Sequence, residues 1–325
     1  RGDDLEVEHL ENVSPEDLPF LLKSFHGKVV KLALDPRGCR LVQRALEVAD
    51  DHGRGLLTRE LRGHVHEALQ SPHANHVLQR AIEFMRPSAV DFILQELTQK
   101  SRPAMLARHQ YGCRVLERVI EHFPPDVLRA FVGDIVDDAL ELCRHSYGNF
   151  VVQHVLEHGE QAHRKRIIDT LCLDLDMVVV NQYACNVLDK ALSYCALDDQ
   201  RLLAQRLVTK ADLLAALASS RHGASVLDRL ERVIEQSREA AMAGFVDGAG
   251  TAADWGPHQA LGPEGLSLCP PFAALVKEAA AGLHGGELPR SGRRYRGGDG
   301  QRGSGGQGCR KQRRRPPSRP PLAHA

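Results

Sequence analysis

Apolar and polar positions recur with a regular period along the first two thirds of the chain. Six segments share one pattern, in which a Gly or Ala precedes a small or polar residue and two pairs of apolar residues follow. The position of Cys39 recurs at Asn75, Cys113, Asn149, Cys185 and Ala224, with spacings of 36, 38, 36, 36 and 39 residues. Apolar residues three to four apart form the buried stripe of a helix, and the period predicts a repeat protein.

Another apolar position lies seven residues before the Cys39 position in every copy. It is occupied by Leu32, Ala68, Leu106, Leu142, Val178 and Leu217. We assign it to a preceding helix, so that each repeat is predicted to be a helical hairpin. A hairpin of this size cannot cover its own apolar stripe, whereas stacked neighbours can. The pattern therefore predicts an all-α helical-repeat solenoid.

Composition divides the chain into four parts. Residues 1–13 form an N-terminal remnant, and 14–238 hold the six repeats. Residues 239–287 are rich in Ala, Gly and Pro, and we expect them to provide a degenerate terminal cap. Residues 288–325 hold 11 basic residues and one acidic residue. Such a polar tail with few aromatic residues is predicted to be disordered, and it could bind phosphates, direct nuclear import or act only as a solubilising tail.

The charge, apolar runs and cysteine spacing of the 325-residue chain argue against several classes of protein. The chain carries no net charge, and its apolar runs are shorter than the roughly 18 to 20 residues that span a bilayer. Eight cysteines without a C-x-x-C pair argue against a disulfide framework and a zinc site. No constellation of catalytic residues is recognisable. We therefore expect no enzymatic activity, cofactor, metal site or membrane partner.

Two polar positions remain in each copy once the apolar stripe is removed. They lie four residues apart and therefore on one helix face. The pairs are Cys39/Gln43, Asn75/Gln79, Cys113/Glu117, Asn149/Gln153, Cys185/Asp189 and Ala224/Asp228. The residue after the first member has a flat side chain in four copies, namely Arg40, His76, Arg114 and Phe150. A flat group beside two hydrogen-bonding groups suits a nucleobase, which can stack on the one and pair with the others.

These segments resemble Pumilio (PUF) repeats, a family of helical solenoids that bind single-stranded RNA. The resemblance covers about 225 of the 325 residues. It implies a right-handed, armadillo-like crescent with RNA on its concave face, where each repeat reads one base with two or three side chains. It also implies a cytoplasmic regulator that acts on mRNA stability or translation through 3′ untranslated regions, with protein effectors. The basic tail adds a nuclear or nucleolar location as an alternative.

The pairing rule of that family can be carried over to the matching positions. Both Asn/Gln pairs resemble uracil readers, and Cys39/Gln43 resembles an adenine reader. The pair Cys113/Glu117 resembles a guanine reader, because a carboxylate accepts hydrogen bonds from both N1–H and N2–H₂ of guanine. Cys185/Asp189 departs from the guanine pattern by one methylene, and the sixth copy departs at all three positions. Since the family binds RNA antiparallel, the resemblance implies a U-G-U-A core.

Two other interpretations fit the same helical array. A nucleolar PUF-like protein of ribosome biogenesis has the same fold but typically lacks such clear base-reading pairs. A protein-binding scaffold of the HEAT, armadillo or tetratricopeptide type has helical repeats of similar length, and its polar pairs would be solvated positions.

Overall fold

The computed structural model describes residues 18–247 and 272–282, and every regular element in these ranges is a helix. Within them, no helix is both long and apolar enough to cross a membrane. The predicted all-α helical-repeat solenoid is therefore confirmed for this part of the chain. The predicted N-terminal segment at 1–13 and the predicted tail at 288–325 lie outside the described residues.

The first five repeats each contain a short, a motif and a linking helix, so the prediction of a two-helix hairpin is wrong for them. The sixth repeat contains a short and a motif helix, and one more helix of the linking type precedes the first repeat. The short helices are α2 (Val29–Leu34), α5 (Val65–Gln70), α8 (Pro103–Ala107), α11 (Ala139–Cys143), α14 (Leu175–Val179) and α17 (Ala211–Ser219). The motif helices are α3 (Gly38–Val48), α6 (Ala74–Phe84), α9 (Gly112–His122), α12 (Gly148–His158), α15 (Gln182–Tyr194) and α18 (Gly223–Asp247). The linking helices are α1 (Leu18–Phe25), α4 (Asp51–Arg59), α7 (Asp91–Lys100), α10 (Pro125–Asp137), α13 (Gln161–Leu173) and α16 (Leu197–Val208).

The core runs continuously through the stacked repeats. Each motif helix packs against the motif helix of the next repeat. In α6, the two apolar pairs of the repeat pattern, Val77/Leu78 and Ala81/Ile82, are at most 1% exposed. The stripe predicted from the sequence is therefore buried between neighbouring repeats, as a solenoid requires.

Each motif helix begins with the same turn. The residue four before the Cys39 position accepts hydrogen bonds from the backbone N–H groups two and three residues further on. Asp35 Oδ1 accepts from Arg37 and Gly38 at 2.9 and 2.7 Å, and Asn181 Oδ1 accepts from Tyr183 and Ala184 at 2.9 and 3.1 Å. Ser71, His109 and His145 accept the same two bonds, whereas the side chain of Ser220 accepts from His222 and its backbone carbonyl accepts from Gly223. These side chains satisfy N–H groups that a helix start leaves without partners.

A carboxylate joins the last helix of a repeat to its first helix. Glu60, directly after α4, accepts from the backbone N–H groups of Gly27 and Val29 at 2.7 and 3.1 Å. In the second repeat, Glu96 accepts from Gly63 and Val65 at 2.7 and 3.2 Å. Both glycines have positive φ, 71° and 81°, a conformation that a Cβ would strain. The repeat is thus closed by charge-assisted bonds to the start of the short helix.

The last repeat extends further along the chain than predicted. Helix α18 extends to Asp247, so the predicted boundary at residue 238 falls inside a helix. In the segment predicted as a cap, α19 (Phe272–Gly282) packs against α17. Phe272 and Ala279 are buried in α19.

Candidate nucleic-acid interface

The motif helices bring the predicted site residues into one layer. Because they pack side by side in chain order, equivalent positions form rows across the repeats. We call Cys39, Asn75, Cys113, Asn149, Cys185 and Ala224 the anchor row. The residues four further on, Gln43, Gln79, Glu117, Gln153, Asp189 and Asp228, are the reading row. The predicted stacking residues, Arg40, His76, Arg114 and Phe150, form the flat row.

The anchor row lies below the surface rather than on it. Cys113 and Asn149 are 0% exposed and Cys39 is 5% exposed, whereas Ala224 is exposed. Burial, together with the charge of Glu117, raises the pKa of the Cys113 thiol to about 11, and burial alone raises that of Cys185 to about 11. These thiols are therefore neutral near pH 7 and offer contact surface rather than charge.

In the second and fourth repeats, the anchor asparagine holds the reading glutamine. Asn75 Nδ2 donates to the carbonyl of Ser71 at 2.7 Å, and Asn75 Oδ1 accepts from Gln79 Nε2 at 2.9 Å. Asn149 and Gln153 repeat this last bond at 2.9 Å. The glutamine amide is thus oriented, with its Oε1 and one N–H left for another partner. In the first repeat, Gln43 Nε2 instead donates to the backbone carbonyl of Cys39 at 3.1 Å.

The third repeat has a closed arrangement. Glu117 is 3% exposed, and both its oxygens accept from Arg114 Nη1, at 3.1 and 3.0 Å. The Arg114 guanidinium also lies over the ring of Phe150, with Cζ 4.6 Å from the ring centroid. The flat groups of the third and fourth repeats therefore contact each other, and Phe150 is half-buried.

The remaining positions of the rows are arranged less uniformly. Arg40 and His76 are exposed, as stacking groups should be. Partial burial, and then the charges of His73 and Arg80, lower the pKa of His76, which keeps this ring neutral near pH 7. Asp189 pairs with Arg229 at 3.4 Å.

The sixth repeat presents its three positions to solvent. Ala224, Ser225 and Asp228 are all exposed. None of them provides a flat side chain, and the anchor position carries no hydrogen-bonding group.

A fourth row escaped the sequence analysis as a structural feature. One residue beyond the reading row, the cation row consists of Arg44, Arg80, Arg118, His154, Lys190 and Arg229. Arg80 pairs with Glu83 on its own helix at 2.9 Å and with Glu47 of the preceding repeat at 3.4 Å. Lys190 pairs with Glu157 of the preceding repeat at 2.9 Å. The signal was present in the aligned copies, because a Glu lies three residues after each of the first four members of the row.

The family comparisons agree with these repeats. The profile of the NOP9-like PUF repeat domain matches residues 103–220, and that of the Pumilio-family RNA binding repeat matches 28–62 and 69–98. A Pumilio domain-containing protein of Schizosaccharomyces pombe is 24% identical over 57% of this chain and 27% of its own length. Pumilio homolog 1 of Xenopus laevis is 32% identical over 32% of this chain and 9% of its own. The aligned part of the chain thus spans about a quarter or less of these relatives.

Solved structures share the fold. PUF-8 in complex with PBE-RNA superposes with a TM-score of 0.65 at 24% identity, over 74% of this chain and 71% of its own. The Puf3 RNA binding domain, bound to recognition site B of the Cox17 RNA 3′ UTR, also gives 0.65, at 22% identity over 85% and 79%. At 22 to 24% identity, this similarity supports a shared fold alone.

Proposed function

Because the chain belongs to the Pumilio (PUF) family of repeat proteins, we propose that it binds single-stranded RNA along the layer of motif helices. Each of the first four repeats takes one base. The observation that carries this proposal is the repeated pair in which an anchor asparagine orients a reading glutamine, in the second and fourth repeats alike. A solvated polar face has no reason to repeat this bond at 2.9 Å on two helices two repeats apart.

The oriented glutamine suits uracil. With Nε2 directed at Asn75 Oδ1, Gln79 has one acceptor, Oε1, and one further N–H to offer. The edge of uracil presents N3–H between two carbonyl oxygens, so one donor and one acceptor match it. Gln153 offers the same pair. Gln43, whose anchor Cys39 lacks a side-chain amide, donates to the backbone carbonyl of Cys39 instead, and turning its amide away from that carbonyl presents the different donor and acceptor order of adenine.

Glu117 suits guanine. A carboxylate accepts two hydrogen bonds side by side, and guanine presents N1–H and N2–H₂ in that arrangement. Base binding exchanges the bonds from Arg114 to Glu117 for bonds from the base. It also places the base between Arg114 and Phe150, which now contact each other. Read antiparallel, the four repeats specify U-G-U-A.

We place this activity in the control of mRNA stability or translation through 3′ untranslated regions, in the cytoplasm, with protein effectors and without catalysis. Selection from a random RNA pool by the full chain tests the binding specificity. Enrichment of U-G-U-A supports the proposal. The control is the Gln79→Ala variant, which should lose selection only for the uracil at the 3′ side of guanine.

A second candidate is supported by the NOP9-like match over residues 103–220. The reading residue of the fifth repeat is occupied by an ion pair with Arg229, and the sixth repeat has Ser225 rather than a flat side chain at the stacking position. Both features fit a nucleolar PUF-like protein of ribosome biogenesis, with weaker base selection. RNA binding that depends on salt but selects no sequence, with nucleolar staining of the tagged chain, favours this candidate. If no RNA is bound, the array is a protein-binding scaffold.

A further inference from the structure

Glu121, His154 and His158 face one another on the layer of motif helices. The two histidines lie one turn apart on α12, and Glu121 comes from α9 of the preceding repeat. Each residue offers one ligand atom, and these atoms all lie within 4.8 Å of one another. The proposed reading of bases uses none of the three, and sequence spacing could not reveal the group because its members come from different repeats.

The distances between these atoms are close to those of a metal site. Glu121 Oε1 lies 2.8 Å from His154 Nε2 and 3.9 Å from His158 Nε2. In a tetrahedral zinc site with bonds of about 2.0 to 2.1 Å, neighbouring ligand atoms lie about 3.4 Å apart. The two observed distances lie on either side of that value. The third pair of ligand atoms, those of His154 and His158, lies within 4.8 Å, so small side-chain movements that bring the two imidazoles together complete the set.

Neighbouring groups already orient two of the three ligands. Arg118 Nη1 lies 2.6 Å from Glu121 Oε2, which leaves Oε1 directed at the histidines. His154 Nδ1 lies 3.1 Å from the backbone carbonyl oxygen of Phe150. In the tautomer with its proton on Nδ1, this contact is a hydrogen bond and Nε2 carries the lone pair that a metal ion needs. Metal-ligating histidines almost always make such a bond through their other nitrogen.

The bonds of His154 leave a place for a cation. Nδ1 faces the carbonyl oxygen and Nε2 faces the carboxylate oxygen, and both are acceptors. A neutral imidazole has a single N–H and can satisfy one of them. A metal ion between Nε2 and Glu121 Oε1 would satisfy the second contact. The equivalent position in the first three repeats holds a permanent cation, namely Arg44, Arg80 and Arg118.

We propose that Glu121, His154 and His158 bind a divalent transition-metal ion of the Zn²⁺ class. Two imidazoles and one carboxylate are ligands that suit Zn²⁺, Ni²⁺ and Cu²⁺, whereas Mg²⁺ and Ca²⁺ prefer oxygen ligands alone. Three protein ligands leave a fourth coordination position for water. The ion joins the third repeat to the fourth, and its binding to the folded chain raises the thermal midpoint.

The test is titration of the full chain with Zn²⁺ and with Co²⁺ as a spectroscopic substitute. We expect one equivalent of Co²⁺ with d–d bands and without thiolate charge transfer, and a midpoint that rises with Zn²⁺. His154→Arg installs the residue of the first three repeats and keeps the pair with Glu121. His158→Tyr installs the residue that the fifth repeat carries there, Tyr194. Each should weaken this binding by more than about 100-fold, beyond the 10- to 100-fold loss typical of an outer-shell partner.

The matched control is His122→Tyr. His122 occupies the position of His158 in the preceding repeat, and its Nε2 lies 3.9 Å from the other carboxylate oxygen, Glu121 Oε2. This variant should bind the metal as the wild type does. Equal affinities for the wild type, His154→Arg and His158→Tyr would overturn the proposal, and so would a thiolate band, which places the ion on cysteines. Melting each variant without metal confirms that it folds, and the two ligand variants test the site independently.

Discussion

The substitution Glu117→Gln tests the reading of guanine at a single residue. In the wild type, the carboxylate can accept from N1–H and N2–H₂ of guanine, whereas adenine presents a lone pair at N1 and has no N2 amine. A lost bidentate contact to a base costs about 1 to 3 kcal/mol, or about 5- to 150-fold in affinity. The substituted side chain supplies an amide that can donate to adenine N1. The variant should therefore prefer U-A-U-A to U-G-U-A.

The structure separates this change of preference from any general loss of affinity. Glu117→Gln also removes the ion pair with Arg114, which changes the unbound state whichever RNA is present. That change is the same for both RNAs and cancels in their ratio. Competition between the two RNAs for the full chain gives this ratio directly.

The matched control is Asp189→Asn in the fifth repeat. This residue occupies the same row but pairs with Arg229, so its substitution should leave the preference between the two RNAs unchanged. If the Glu117→Gln variant still prefers U-G-U-A, the carboxylate does not contact the base. The assignment of repeats to nucleotides would then be wrong.

Three further predictions concern stacking, pH and the closure of a repeat. Phe150→Ala should weaken RNA binding by about 5- to 150-fold, measured by fluorescence anisotropy, while its thermal melt changes little because the ring is half-buried. Burial, and then the charge of Arg108, lower the pKa of His145, whose Nδ1 accepts two backbone N–H bonds. The stability from this neutral ring is therefore complete above the unfolded pKa of about 6.5 and is lost as the pH falls through the folded pKa. His145→Asn copies Asn181 and should keep the turn. Between pH 7.5 and 5, the free energy of unfolding in urea should fall less for this variant than for the wild type, by on the order of 1 kcal/mol. An equal loss would contradict the assignment. Glu96→Gln should lower the free energy of unfolding by about 1 to 2 kcal/mol, because the single amide oxygen cannot replace both carboxylate oxygens that accept from Gly63 and Val65. An unchanged urea midpoint would exclude a role for Glu96 in closing the repeat.

The sequence predicted the motif helices and their apolar stripe well, because these positions repeat in fixed register. It missed the linking helices, since spacings that vary from 36 to 39 residues blur any alignment made on the motif. The sequence analysis assigned both members of each polar pair to the edge of a base, and it did not predict that the anchor is buried. Asn75 and Asn149 are buried and orient the glutamines, which depends on backbone carbonyls that no residue pattern encodes.

The turns before the motif helices could not be predicted from the sequence for another reason. Asp, Ser, His and Asn all occupy the same position, and what they share is an acceptor atom rather than a residue type. The cation row was visible in the aligned copies as a basic residue and a following Glu. That Arg80, Arg118 and Lys190 also reach the preceding repeat could be learned only from the packing of adjacent motif helices.

The carboxylate that closes a repeat has a consequence for how the chain assembles. Glu60, Glu96 and Asp134 each satisfy the start of a short helix about thirty residues earlier, so the first three repeats are complete as soon as their linking helix has formed. The equivalent positions in the fourth and fifth repeats are Thr170 and Arg206, which have no carboxylate. Contacts of such short range favour rapid folding and let neighbouring repeats add one by one. During synthesis, the N-terminal repeats should therefore fold first. In the folded chain, backbone amide exchange should show that the fourth and fifth repeats open most readily.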